Sequence, residues 1–315
     1  PQAETIPDQW ESQILARILM KHHVIFVSRP EMEQTLREMK LDYAPDLAQA
    51  LEMAKKEKGE NALITVIPNG ISVIKGGYGA LTYNKLTPAL AAELRSLLGE
   101  KRFQYGDSVK ESYSHDEMPI YGRFMPEAVC LVETTEEVSA IMKLCSTNNI
   151  PVTVRGAGTG LVGGCVPVCG GIVLSTERMN RILSYDMKNL VVHAQPGVLL
   201  CDLAAGALAH GLMYPPDPGE KTATIGGNVS TNAGGMRAVK YGVTRDYVLA
   251  MTVVLPSGEV IKLGKTVCKT SSGYSLLHLM IGSEGTLGII TELTLKLIPK
   301  PAMDVSLILP FQDIS

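Results

Sequence analysis

Aromatic residues and net charge are both scarce in this sequence of 315 residues. It contains one Trp and four Phe, so it offers few of the rings on which nucleic-acid bases stack. Basic residues number 29 against 32 acidic ones, for a net charge of −3, which leaves no basic excess to neutralise phosphates. Nucleic acid is therefore not an expected partner, and the length predicts about two domains.

Paired cysteines and long apolar runs are also missing. The chain has neither a CxxC pair nor a disulfide-dense spacing among its six cysteines, Cys130, Cys145, Cys165, Cys169, Cys201 and Cys268. Reduced thiols and a cytoplasmic location are therefore expected. No apolar run reaches the roughly 18 residues of a transmembrane helix, and no signal peptide is visible. The chain opens with Pro1 instead of Met, so we expect a fragment or a processed chain.

Glycine, by contrast, is abundant and unevenly distributed. Eight of the 30 glycines precede residue 150, and 22 lie between residues 151 and 290. Each glycine loses much backbone entropy on folding. Their concentration in the second half therefore predicts tight turns or a backbone that closely approaches a ligand.

Residues 1–78 predict a small α/β unit. Its expected elements are helices at 13–19 and 47–56 and strands at 24–27, 62–67 and 71–74. Asp46 is the expected N-cap of the second helix. The last two strands flank a Pro-Asn-Gly turn, and the glycine-containing stretch after them marks the domain boundary.

From residue 86 onward the sequence alternates between strand and helix patterns. Thr134 and Glu137 form a capping box at the start of one helix. The expected strands are 129–132, 151–155, 172–174, 190–194, 250–254, 260–263 and 289–297. The expected helices are 87–98, 134–148, 200–209 and 275–279.

The richest glycine run, RGAGTGLVGG at 155–164, directly follows a predicted strand. Such a loop exposes successive backbone N–H groups, which suits a pyrophosphate. Its GxGxxG spacing also fits the Rossmann dinucleotide motif, but that motif needs a helix to open within it. The following CVPVCGG is hostile to a helix. Another kind of phosphate-binding loop is therefore favoured over a Rossmann site or a purely structural turn.

Three more glycine-rich motifs follow, and each alone could be a turn. They are YPPDPGEKTATIGGN at 214–228, STNAGG at 230–235 leading into KYG at 240–242, and IGSEGTLGII at 281–290. Four such motifs within one block are hard to explain as turns alone, because of their entropic cost.

In their residues and in their order along the chain, these motifs resemble the FAD-binding domain of the FAD-linked oxidases. That family includes the glycolate oxidase FAD subunit and D-lactate dehydrogenases, within the vanillyl-alcohol-oxidase (PCMH) type. SHDE at 114–117, PGEK at 218–221 and MRAVKYGVTRDYV at 236–248 look closest to the FAD subunit of electron-bifurcating lactate dehydrogenases. The resemblance implies an α+β fold in which residues 86–302 form two subdomains with FAD between them. It also implies that residues 303–315, with a strand at 304–309, begin a C-terminal cap domain.

The resemblance further implies a set of residues that hold FAD. One loop would wrap the pyrophosphate, and the other motifs would line the flavin, the ribityl chain and the adenine. The set is Arg155, Gly156, Ala157, Gly158, Thr159, Gly160, Leu161, Pro216, Asp217, Thr224, Ile225, Gly226, Gly227, Asn228, Asn232, Gly234, Gly235, Tyr241, Gly242, Val243, Glu284, Gly288, Ile289 and Ile290. Some relatives tether FAD through a His in the glycine-rich loop. This loop has no His, so FAD is expected to be non-covalent.

The N-terminal unit resembles a different family, the C-terminal end of nickel-pincer lactate racemases. IPDQWESQIL at 6–15 and ITVIPNGISVI at 64–74 carry that resemblance. Gln9 could be a remnant of a substrate-binding position, although a structural role for Gln9 and Trp10 is equally expected. Both resemblances imply lactate as a substrate.

The implied reaction is the oxidation of a 2-hydroxy acid to a 2-oxo acid, with hydride passing to the flavin. The resemblance places the base and the carboxylate clamp in the cap domain, so no catalytic residue is assigned in this chain. His115, His193, His210 and His278 have the right chemistry for a base, but a structural role is favoured for each. Arg237 and Lys240 are the best cationic candidates on the flavin or substrate side, with surface charge as the alternative.

Two other functions stay open. The chain could hold FAD only as an electron relay, with an electron-transfer flavoprotein or an iron–sulfur subunit as partner. It could also run another reaction on the same scaffold, such as enolpyruvyl reduction or sugar-lactone oxidation, although PPDPGEKTATIGGN argues against that.

Overall fold

The computed structural model describes residues 25–27, 30–38, 41–59, 83–267, 269, 274–303 and 305. The chain divides into two compact units, Pro1–Gly79 and Ala80–Ser315. Both contain helices and strands, as the predicted α+β class requires.

The described part of the first unit contains two short parallel strands and two helices. The elements are β1 (Ile25–Val27), β2 (Asp42–Ala44), α1 (Glu33–Glu38) and α2 (Leu47–Lys58), with a 3-10 turn at Pro30–Met32. Asp46 caps α2, because its carboxylate accepts the Gln49 N–H at 2.8 Å. The structure confirms the predicted strand and capped helix. The predicted helix at 13–19 and the strands at 62–67 and 71–74 lie outside the described residues.

The second unit contains a four-stranded mixed sheet in the order β3-β4-β6-β5. Its strands are β3 (Phe103–Tyr105), β4 (Ala128–Leu131), β5 (Val152–Arg155) and β6 (Ile172–Ser175). The central strands β4 and β6 pair in parallel and are buried along their whole length. Such strands read as continuous apolar runs, as AVCL and IVLS do here. Two helices, α3 (Pro88–Leu98) and α4 (Thr135–Thr147), contribute Leu94 and Ile141 to the same core.

The second unit also contains a five-stranded antiparallel sheet in the order β11-β10-β12-β8-β7. Its strands are β7 (Ile182–Asp186), β8 (Val191–Ala194), β10 (Val248–Val254), β11 (Val260–Gly264) and β12 (Ile289–Lys296). The remaining elements are α5 (Leu200–Ala209), α6 (Ile225–Ser230), α7 (Ala238–Tyr241), α8 (Leu276–Met280), the paired strands β9 (Leu212–Met213) and β13 (Ile298–Pro299), and 3-10 turns at Glu100–Arg102, Gly106–Ser108, Glu111–Tyr113, Pro119–Tyr121 and Thr244–Tyr247. Leu203, Ile225 and Leu293 meet in one buried cluster beneath this sheet.

Each strand and helix predicted from residue 86 to 303 overlaps an observed element of the same type. Strands β3, β7, β9 and β13 and helices α6 and α7 were not predicted. Helix α6 contains two adjacent glycines, which disfavour a helix. It forms because Thr224 caps it and because Ile225 and Val229 are buried. Of the strand expected at 304–309, only Val305 is described, and it lies in no strand.

Replacing a buried leucine by alanine should destabilise the protein more than replacing an exposed one. Leu174 in β6 is fully buried, whereas Leu208 in α5 is 48 % exposed. Leu174→Ala should lower the free energy of unfolding by about 2–5 kcal/mol, since it removes buried methylenes and leaves a cavity. Leu208→Ala is the matched control and should change stability by less than about 1 kcal/mol. Urea unfolding followed by circular dichroism measures both, and equal effects would contradict the core placement.

Candidate functional site

Loops from both sheets of the second unit enclose a cavity of about 390 Å³. This volume lies within the roughly 300–1,000 Å³ of small-molecule sites. Its wall consists of the glycine-rich loop after β5, the segment leading into α6, α6 itself, and the residues that enter β12. All four glycine-rich motifs of the sequence therefore meet at one place.

The loop after β5 presents a row of unpaired donors. Within the described residues, none of the backbone N–H groups from Gly156 to Val162 donates to a protein acceptor. Gly158 adopts φ +80° and Gly163 φ +74°, conformations that L side chains rarely adopt. No helix opens within this loop, so the Rossmann alternative does not apply. Free N–H groups that follow one another in a curved backbone form a site for an anion.

A polar segment that precedes β4 holds the loop from behind. Asp116 is 5 % exposed, and its carboxylate accepts the Gly163 N–H at 2.7 Å and the Met118 N–H at 2.9 Å. The Glu117 N–H donates to the Gly160 carbonyl at 3.2 Å. Sequence reasoning singled out SHDE at 114–117 only as a point of resemblance and missed this role. The carboxylate thus fixes the loop backbone at Gly163, while the N–H groups of residues 156–162 stay without protein acceptors.

Arg155, the last residue of β5, lies behind the loop and is only 8 % exposed. Its Nη1 donates to the His115 carbonyl at 2.6 Å and contacts Cys165 Sγ at 3.4 Å. A Cβ added at Gly158 would overlap the guanidinium at Nη2. Arg155 thus contacts the loop backbone and is not part of the cavity wall.

Helix α6 forms the opposite wall. Thr224 Oγ1 accepts the Gly227 N–H at 3.3 Å, and the Gly226 N–H donates to the Pro196 carbonyl at 2.8 Å. Asn228 lines the cavity and is 4 % exposed, yet its Nδ2 has no hydrogen-bond partner within the described residues. A buried donor without an acceptor is costly, so this amide marks a place for an acceptor on a ligand.

The third wall is apolar except for one carboxylate. Ile289 and Ile290 are 4 % and 6 % exposed, and a Cβ at Gly288 would overlap Val253. Glu284 lines the cavity with φ +54°, and its N–H donates to the Ser230 carbonyl at 2.8 Å. Burial raises the pKa of the Glu284 carboxyl above its ordinary value.

Fifteen of the twenty-four residues expected to hold a cofactor line this cavity. They are residues 156–161, Thr224, Gly226, Gly227, Asn228, Gly234, Glu284, Gly288, Ile289 and Ile290. Cavity-lining residues that sequence reasoning did not include are Val154, Val162, Gly164, Cys165, Thr176, Pro196, Pro218, Gly219, Glu220, Ala223, Ser230 and Thr231. Several of these lie inside the quoted motifs. Thr176 and Pro196 follow β6 and β8 and carry no signal in the sequence.

The other nine expected residues lie outside the cavity wall. They are Arg155, Pro216, Asp217, Ile225, Asn232, Gly235, Tyr241, Gly242 and Val243. Most of them support the loops. Ile225 belongs to the apolar core, and a Cβ at Gly235 would overlap the Asp217 backbone. Asn232 accepts the Arg245 N–H at 2.9 Å, and the Tyr241 carbonyl accepts the Tyr247 hydroxyl at 2.7 Å.

None of the four candidate histidines lines the cavity. His115 Nδ1 lies 3.1 Å from Ser114 Oγ, and His193 Nδ1 lies 3.0 Å from Thr294 Oγ1. The His210 ring stacks on Tyr185, and His278 is exposed on α8.

The two cationic candidates also lie outside the cavity wall. Arg237 Nε is 3.5 Å from the Asp217 carboxylate, which also pairs with Lys221. The Lys240 ammonium lies 4.9 Å from the centre of the Tyr241 ring. Both cations are thus engaged by neighbouring side chains.

The part of the chain that the structure describes contains no cluster of His, Cys, Asp and Glu that could hold a metal ion. It also contains no helix long and apolar enough to cross a membrane.

Two family models match the chain. Residues 126–264 match an FAD binding domain, and residues 1–75 match the lactate racemase C-terminal domain. The second match covers the segment in which the racemase resemblance was recognised.

Curated relatives match about three quarters of the chain. A D-lactate dehydrogenase of Anaerostipes hadrus is 62 % identical over 232 residues, which are 74 % of this chain and 49 % of the relative. The glycolate oxidase subunit GlcD of Bacillus subtilis is 43 % identical over 230 residues, 73 % of this chain and 49 % of the relative. The chain therefore spans about half the length of these relatives.

A solved structure has the same fold over most of the chain. Alkyldihydroxyacetonephosphate synthase aligns with a TM-score of 0.61 and 25 % identity, over 70 % of this chain and 46 % of that one.

The cavity fits the cofactor that the family model names. Free N–H groups suit a diphosphate, the unpaired Asn228 amide suits a polar ring edge, and the isoleucine wall suits an apolar ring face. Residues 126–264 therefore form a domain similar to the FAD binding domains of FAD-linked oxidases, and its cofactor is FAD.

Proposed function

We propose that the protein oxidises a 2-hydroxy acid of the lactate or glycolate class to the 2-oxo acid, with FAD as the electron acceptor. The observation that carries this proposal is the row of unpaired N–H groups on residues that line a cavity within an FAD binding domain. The substrate class comes from relatives named D-lactate dehydrogenase and glycolate oxidase subunit.

The fifteen cavity-lining residues of the expected set are proposed to hold FAD. The N–H groups of residues 156–162 would donate to its diphosphate. Asn228 and the backbone of α6 would contact its polar groups, and Ile289 and Ile290 its ring system. The loop contains no His, which supports non-covalent attachment. The remaining nine residues of the set would act indirectly, by shaping these loops.

Oxidising a 2-hydroxy acid removes two electrons and two protons from the substrate. FAD supplies the site that accepts the hydride, so the protein must supply a base for the hydroxyl proton and a cation for the carboxylate. Within the described residues the cavity wall contains no histidine, arginine or lysine. We therefore propose that both groups come from a cap domain that residues 303–315 begin, and that residues 86–302 form the two-subdomain FAD-binding part.

The lack of a base in the described cavity wall also supports a second function. This chain would then hold FAD and pass electrons between partners, such as an electron-transfer flavoprotein or an iron–sulfur subunit, without oxidising substrate. The five described cysteines are free thiols, which supports a reducing compartment such as the cytoplasm for either function.

Flavin bleaching distinguishes the two functions. The FAD-loaded protein that includes the proposed cap domain, mixed anaerobically with D-lactate, L-lactate or glycolate, should lose flavin absorbance with at least one of them. 3-Hydroxybutyrate is the matched control, because its hydroxyl is one carbon further from the carboxylate, and it should leave the flavin oxidised. Flavin that only dithionite reduces would support the relay. A protein that retains no FAD would contradict both functions.

Gly158→Val should abolish FAD retention. Its left-handed backbone disfavours any side chain, and a branched Cβ would collide with Arg155 and displace the loop. Gly211→Val is the matched control, since Gly211 has φ +71°, lies outside the cavity and faces open space. It should keep its flavin despite some loss of stability. The flavin-to-protein absorbance ratio after purification measures both. An unchanged ratio in Gly158→Val would contradict the placement of the loop.

Glu284→Gln should stabilise the FAD-free protein at pH 7. The folded-state pKa of Glu284 is raised above the ordinary 4.5 by burial, so folding favours the protonated form. The native state therefore loses stability as pH rises through the raised pKa. The variant should melt at a higher temperature than wild type at pH 7, and the difference should shrink towards pH 4. Exposed Glu259→Gln is the control. A lower melting temperature of Glu284→Gln at pH 7 would contradict this account.

A further inference from the structure

We propose that Arg155 is a specificity-determining residue that selects a diphosphate-bearing flavin by its charge, from behind the glycine-rich loop and without touching the ligand. This inference rests on the proposed binding of the FAD diphosphate by that loop. The observation behind it is a buried guanidinium that lies against Gly158, a residue of the cavity wall, while Arg155 itself does not line the cavity.

The contacts of Arg155 are all uncharged. Nη1 donates to the His115 carbonyl and contacts Cys165 Sγ, and the guanidinium lies 5.7 Å from the centre of the Tyr113 ring. Within the described residues, no carboxylate lies within salt-bridge distance of Arg155. A buried charge without a counter-charge is costly, so the site is completed by an anion nearby.

The two carboxylates in the neighbourhood are committed to other donors. Asp116 accepts the Gly163 and Met118 N–H groups. Glu177 accepts the Ser175 hydroxyl at 2.8 Å and the Tyr113 hydroxyl at 3.2 Å. The pKa of Tyr113 is raised to about 12 by burial and then by Glu177, so its hydroxyl stays a neutral donor. Both carboxylates lie beyond salt-bridge distance of Arg155, so neither forms an ion pair with it.

The geometry aligns the cation with the proposed diphosphate site. The guanidinium contacts the loop at Gly158, and Gly158 lines the cavity, whereas Arg155 does not. A unit charge one backbone thickness away from an anion, in a medium less polar than water, attracts it strongly. The free N–H groups of the loop would donate to the same anion. Arg155 and the loop thus act together on the charged middle of FAD, and much less on an uncharged riboflavin.

A purely structural role for Arg155 makes a different prediction. If the guanidinium only holds the loop to the His115 carbonyl, its loss should weaken FAD and riboflavin equally. If its charge selects the diphosphate, the loss should fall on FAD alone. Comparing two flavins that share a ring system and differ in phosphate therefore separates the roles.

The test uses Arg155→Gln, which removes the charge, and Arg155→Lys, which keeps it. Binding of FAD and of riboflavin to the flavin-free protein is measured by flavin fluorescence, and folding is checked by circular dichroism. We expect Arg155→Gln to bind FAD at least about tenfold more weakly than wild type, a loss of about 1.4 kcal/mol. Its riboflavin affinity should change less than about threefold, and Arg155→Lys should bind FAD at least about tenfold more tightly than Arg155→Gln. Arg178→Gln is the control, since Arg178 is 46 % exposed and pairs with Glu133, and it should bind both flavins as wild type does.

Three outcomes would overturn the inference. They are equal losses of FAD and riboflavin affinity in Arg155→Gln, unchanged FAD affinity in that variant, and equal FAD affinity in the Lys and Gln variants. The Lys and Gln comparison decides the question by itself if riboflavin binds too weakly to measure. Failure of wild type to bind FAD would instead contradict the proposed function.

Discussion

The structure depends on a backbone segment that leaves its own hydrogen-bond donors free. Most backbone N–H groups of a folded protein donate to protein acceptors, yet those of residues 156–162, which line the cavity, have none among the described residues. A loop in that state cannot hold its shape by internal hydrogen bonds. Its conformation is fixed by contacts behind it, with Asp116 on Gly163, Glu117 on Gly160 and Arg155 under Gly158.

The two sheets contribute different parts of the site. The mixed sheet ends β5 at the glycine-rich loop, which supplies donors for a charged group. The antiparallel sheet supplies the apolar entry to β12, and the segment after β8 anchors α6 through the Pro196 carbonyl. A Cβ at Gly156 would overlap Thr224 Oγ1, so the loop and the N-cap of α6 are packed directly against each other. A shift of either sheet would therefore change the width of the cavity.

Much of the fold and of the cavity wall could be predicted, because local sequence patterns indicate these elements. Apolar runs identified the core strands, capping residues identified α2 and α4, and glycine spacing located the cavity walls. Longer-range contacts were not predictable. Nothing in SHDE at 114–117 indicates that Asp116 reaches Gly163, 47 residues away. Glycine content argued against α6, and only the burial of Ile225 and Val229 in a distant core overrides that preference. The resemblance predicted that Arg155 binds the cofactor together with the loop residues after it. Side chains alternate between the two faces of β5, however, so Val154 lines the cavity and Arg155 does not.

That alternation has a consequence for how sequence changes near the site act. Val154 faces the cavity and Arg155 faces the opposite side, with the pairing Val154–Leu174 and Arg155–Ser175 fixing this parity in β5 and β6. Side chains change faces with every single step along a strand. One inserted or deleted residue within β5 would exchange the two, placing a cation inside the hollow and an isopropyl group beneath the glycines. Strand β5 is thus highly sensitive to a one-residue insertion or deletion, although only one of its side chains, Val154, lines the cavity.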